Sequence, residues 1–101
     1  MVYFYWTKNN DGVTNMTGSE TGAMSPWAMA VQMNKLIGLV NTHASKSIGT
    51  VTAGTAMTYS KYNEVANAIG AATVTQGTKI TVQHFYKLQT TFNSKGYYVS
   101  K

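Results

Sequence analysis

The sequence predicts a mainly α fold: a small bundle of two or three short helices, with a short two-stranded β ribbon formed by the chain termini. Three observations predict it. Apolar residues recur at spacings of three and four through residues 25–94, two matching segments there open on Gly-Thr, and both chain ends carry aromatic runs. At 101 residues a single folding unit is expected, with much surface for its core. It divides into an N-terminal strand or anchoring arm at 1–7, a polar loop at 8–24, a helical repeat region at 25–94 and a C-terminal strand at 95–101.

The first element, MVYFYWT, is dense in aromatic and β-branched side chains on both of its alternating sets, Val2/Phe4/Trp6 and Tyr3/Tyr5. That pattern reads as a strand wanted on both faces. Residues 8–24 are rich in Asn, Thr and Gly, carry the Asp11-Gly12 turn signal and have no helical period. So long a loop is uncommon in a compact domain, and a partner is expected to hold it.

Ser25-Pro26 reads as an N-cap followed by proline in the first helical position, where a missing N–H costs nothing. Met29, Met33, Leu36, Ile37 and Val40 then form one stripe of a helix over about 26–42, and Asn41-Thr42-His43 loses the period. A second helix is expected from Thr58 to about Ile69, with Tyr62, Val65 and Ile69 on its inner face and Gly70 as a left-handed terminus. A third runs from Thr81 to about Asn93, with Phe85, Leu88 and Phe92 as its stripe and Gly96 as the break. The predicted core is therefore Met33, Leu36, Val40, Tyr62, Val65, Ile69, Phe85, Leu88 and Phe92, and the predicted caps are Ser25, Thr58 and Thr81.

The last two helices belong to one repeated unit. Residues 54–70 match residues 77–93: a Gly turn, an apolar residue (Met57 or Ile80), a Thr whose hydroxyl suits an N-cap, and then the matched pairs Tyr62/Phe85, Val65/Leu88 and Ile69/Phe92. The first helix joins if it is several residues longer at its start, which places Asn34 opposite Asn63, with Tyr86 as the third member. One amphipathic helix of this length is marginal in water, and stacking the units buries their stripes against one another.

The pattern G-x-x-I-T-x-x-x-[YF]-N-x-[LV], present from Gly54 to Val65 with Met57 in the Ile position and from Gly77 to Leu88 with Tyr86 in the Asn position, covers about a third of the chain. It resembles helical linker units of bacteriophage tail-fibre and other virion structural proteins. The resemblance implies a non-enzymatic virion component in a tail, neck or fibre complex, with copies of itself and other virion proteins as partners. No catalytic residue comes across with it.

Composition is compatible with that expectation. Charged residues make up 11% of the chain, against roughly 25% in an ordinary soluble domain, as suits a surface covered by other subunits. All eight basic residues are evenly spaced lysines, so the net charge of +5 implies weak or incidental nucleic-acid contact without the planar fork of arginine. A small basic nucleic-acid-binding module and a surface adhesion module are the alternative readings. The absence of cysteine excludes disulfides and thiolate zinc sites, and no run approaches the roughly 20 apolar residues of a membrane helix.

No catalytic, cofactor-binding or metal-binding set is expected. The acids Asp11, Glu20 and Glu64 share no helical face, His43 and His84 have no H-x-x-x-H partner, and Lys46-Ser47 lacks the glycines of a phosphate loop. The terminal aromatics Tyr3, Phe4, Tyr5, Trp6, Tyr97 and Tyr98 are the expected interface residues, because a two-stranded ribbon leaves edges that another chain can extend.

Overall fold

In the computed structural model, the residues described are 4–6, 26–54 and 57–97, with the side chains of 26–28 set aside. Three helices follow one another: α1 (Pro26–Ala44), α2 (Tyr59–Ile69) and α3 (Val82–Ser94). The middle helix, α2, packs against both α1 and α3. All nine residues of the sequence-derived core are buried, and Met29, Ile37, Ala66, Ile80 and Val82 join them. No described helix is long and apolar enough to cross a membrane.

Local chemistry sets the helix ends. Thr58 has extended backbone and its Oγ1 accepts from the Lys61 amide at 3.1 Å, so one of the four orphan N–H groups of α2 is satisfied. Met57, just before this cap, packs on the core. At the other end Gly70 takes a left-handed φ of 77°, and the Ala71 amide donates to the Ala66 carbonyl at 2.8 Å. Ser25 lies outside the described residues, but Pro26 does open α1.

The first helix continues through the Asn-Thr-His stretch where its period fails. Those polar residues are employed inside the helix: Thr42 Oγ1 donates to the Gly38 carbonyl at 3.0 Å, and Asn41 turns to the chain that follows. Ser45 at φ 55° ends α1.

Residues 4–6 depart from the terminal ribbon. They are assigned to no strand, because Phe4 and Trp6 direct backbone groups to side chains of α3. Among the described residues there is no β-strand, and the segment expected to pair with them, beyond Tyr97, lies outside that set. The loop of 8–24 lies outside it as well.

Alternation within the N-terminal segment survives. Phe4 and Trp6 are 2% and 0% exposed, whereas Tyr5 between them is 45% exposed. Two of the residues expected at an interface with another chain thus belong to this chain's own core. Tyr97 is half-buried against the same core, and Tyr3 and Tyr98 lie outside the described residues.

Candidate functional site

The most distinctive chemistry in the molecule is a set of helix carboxamides that hold extended chain. Asn63 on α2 donates from Nδ2 to the Val74 carbonyl and accepts the Val74 amide at Oδ1, both at 2.8 Å. Asn34 on α1 treats Val51 in the same way, at 2.9 and 2.7 Å, and Asn41 treats Ile48, at 3.0 and 2.9 Å. On α3, Asn93 does this to Phe4, at 2.8 and 3.0 Å, while Gln89 Oε1 accepts the Trp6 amide at 2.6 Å. A carboxamide carries a donor and an acceptor side by side, so it reproduces what a neighbouring strand would offer one residue of backbone.

The register has a geometric basis. From Asn34 to Asn41 is two helical turns, about 10.5 Å of axial rise. From Val51 back to Ile48 is three extended residues, about 10 Å. The two lengths agree, so an extended segment running antiparallel to the helix meets both asparagines. The N-terminal segment obeys the same rule on α3, where four helical residues (Gln89 to Asn93, about 6 Å) face two extended ones (Trp6 to Phe4, about 6.6 Å).

Each helix is thereby clasped to one extended segment, and the three clasps differ in origin. Val51 and Ile48 follow α1, and Val74 follows α2, whereas Phe4 and Trp6 reach α3 from the opposite end of the chain. Aromatic packing reinforces the third clasp. The Trp6 ring lies 5.0 Å from that of Phe85, and Phe4 meets Trp6 edge-on at 5.6 Å and Phe92 at 6.2 Å. Trp6 Nε1 is buried and has no hydrogen-bond partner among the described residues. Alongside this segment, Tyr5, Tyr86, Gln89, Thr90, Asn93 and Ser94 line an open groove of about 380 Å³.

The histidines also have packing neighbours. His84 occupies the third helical position of α3, where its Nδ1 accepts from the Thr81 amide at 3.0 Å and lies 3.1 Å from Thr81 Oγ1. It stands where glutamate or glutamine closes a capping box. Burial, aided by the Lys87 charge, holds its pKa below the ordinary histidine value. Tyr62 joins α2 to this cap by donating its hydroxyl to the His84 carbonyl at 3.0 Å, and burial pushes the phenol up to about 12. The ring of His43 stacks on that of Tyr97 at 5.4 Å and meets Phe92 edge-on.

Lys46 and Ser47 line a pocket of about 330 Å³ with Glu64 and Asn67. The Glu64 carboxylate there opposes a phosphate, and it pairs with Lys61, whose Nζ also donates to the Gly49 carbonyl. Among the described residues no group of three or more His, Cys, Asp or Glu side chains is placed to hold a metal ion.

Sequence reading aligned Asn34 with Asn63 without assigning either a task. The available signal was a carboxamide repeated at one register of an apolar stripe. In α3 that register holds the half-buried Tyr86, and the clasp moves two turns on to Asn93, which matches Asn41. No family model matches the chain, and no curated protein or solved structure matches it.

Proposed function

We propose that this chain is a non-enzymatic structural subunit of a bacteriophage virion, acting in subunit assembly or attachment within a tail, neck or fibre complex. The single observation that carries the reading is the use made of its polar side chains. Asn34, Asn41, Asn63, Asn93 and Gln89 hold backbone, and His84 caps a helix. A chain that assigns these five carboxamides, four half-buried and Gln89 buried, to holding extended segments is organised for shape and for binding other chain. The repeated helix entry, the scarcity of charge and the resemblance to virion linker units supply the viral setting.

Quantitative mass spectrometry of density-purified particles tests this directly. The chain is expected in a fixed ratio to the other particle proteins through successive purification steps. Its presence in the lysate together with loss from purified particles overturns the proposal.

A further inference from the structure

Units α1 and α2 hold extended segments that follow them at short sequence distance: Asn41 holds Ile48, and Asn63 holds Val74. In α3 the held segment comes from residues 4–6, more than eighty positions away. No tight connection ties this segment to the helix that receives it. Its sequence link to the rest of the fold is residues 7–25, which reach roughly 65 Å when extended. That is about twice the largest extent of the described residues, 33 Å.

From these observations we infer that the α3 seam is an exchangeable docking site for the Phe4-Tyr5-Trp6 segment, and that its partner in trans is a second copy of this chain. The contacts in the two arrangements are identical. Gln89 and Asn93 read backbone, and Phe85 and Phe92 receive the rings of Trp6 and Phe4. Exchange therefore trades an intramolecular seam for an equivalent intermolecular one, and concentration decides between them. The segment also lies at the surface edge of the core, beside the open groove along α3, with Tyr5 facing outward. Reciprocal exchange closes a dimer, and one-way exchange leaves a free segment at one end and an empty seam at the other, which extends into a chain of subunits.

Specificity comes from two sources. The carboxamides accept any extended backbone except proline at the Phe4 or Trp6 position, where the N–H is required. The two aromatic sockets then demand large rings two residues apart. The inference deepens the assembly reading by naming the partner, and it rests on that reading for its biological use alone.

A complementation experiment on full-length chains tests it. One variant, Phe4→Ala with Trp6→Ala, keeps an intact seam and loses the segment; the other, Gln89→Ala with Asn93→Ala, keeps the segment and weakens the seam. Each alone is expected to run by light scattering at the chain mass of 11.0 kDa, and their mixture at twice that mass. No complex on mixing, with both variants helical by circular dichroism, overturns the inference, as does dimerisation of the first variant by itself.

Unaltered protein provides the check should a variant fail to fold. Isotope-labelled and unlabelled chains, unfolded together and refolded at high concentration, are expected to give mixed-label dimers in native mass spectrometry. Monomers alone overturn the exchange. Because both arms use purified chains, their failure leaves the particle-composition test standing, and a chain absent from particles leaves the exchange result standing.

Discussion

At the scale of single residues, the carboxamide clasps make the sharpest prediction. Asn63→Ala removes both bonds to Val74 and leaves a partly buried N–H and C=O to find water, so it should destabilise by about 1–3 kcal/mol. Asn63→Asp keeps the acceptor, loses the donor and sets a carboxylate against the Val74 carbonyl, and should recover stability only as the pH falls and the acid protonates. Urea unfolding followed by circular dichroism, at neutral and acidic pH, measures both. Equal stability of wild type and Asn63→Ala would show the clasp to be incidental.

His84 adds a prediction with a defined sign. Its Nδ1 must be unprotonated to accept from the Thr81 amide, and its folded pKa is lowered by burial and then by Lys87; from α2, Tyr62 meets the ring edge-on. The neutral form is thus the one folding favours. Its contribution is complete above the ordinary histidine value near 6.5, is lost as the pH falls from there through the lowered folded value, and changes no further below it. His84→Gln supplies an uncharged acceptor at the same position and should keep the cap while flattening stability over that pH interval. Unfolding midpoints of the two proteins across mildly acidic pH make the comparison.

Among the elements, two glycines should respond with opposite signs. Gly38 lies inside α1, where a new Cβ meets nothing within 4 Å, so Gly38→Ala should stabilise by about 0.5–1 kcal/mol through backbone entropy. Gly70 ends α2 at φ 77°, and Gly70→Ala should destabilise by about 1–2 kcal/mol. The Lys95 side chain near its new Cβ is flexible and can withdraw, so backbone strain sets the penalty. Thermal unfolding of the two variants checks both directions. Leu88→Ala, in the centre of the α3 stripe, should cost about 2–5 kcal/mol in the same assay.

The elements also separate what was legible in the sequence from what was not. Helix positions follow from local signals: Thr58 and Thr81 at the entries, Gly70 at an exit, and stripes such as Tyr62-Val65-Ile69 between them. The C-terminal end of α1 is harder to read, because Asn41 and Thr42 look like loop residues until their bonds to Ile48 and Gly38 are known. The N-terminal segment differs from the expected strand for the same reason. An aromatic alternating run asks for hydrogen-bonding partners without saying whether a strand or a helix side chain provides them, and here Asn93 and Gln89 do. Such pairings join residues far apart in sequence, where periodicity carries no information.

At the scale of the whole molecule, residues 4–6 bring the chain's beginning onto its last helix and seal the aromatic end of the core. Trp6 should therefore be important in volume and dispensable in polarity. Trp6→Ala should cost about 3–5 kcal/mol. Trp6→Phe removes a buried indole N–H that has no partner among the described residues, so the smaller ring's loss is offset by relief of that group and the change should fall within about 1 kcal/mol. Chemical denaturation of the pair distinguishes them, and an equally large loss in Trp6→Phe would point to an unseen acceptor.

The agreement in length between two turns of α1 and the three steps from Ile48 to Val51 makes the molecule behave like a vernier. Inserting one residue between those two positions throws the scales out of alignment, whereas adding seven on the helix together with three on the facing segment brings the next graduation into coincidence. Longer or shorter versions of this architecture are therefore reached by paired edits in that ratio, and unpaired edits are confined to the connections that carry no mark on either scale.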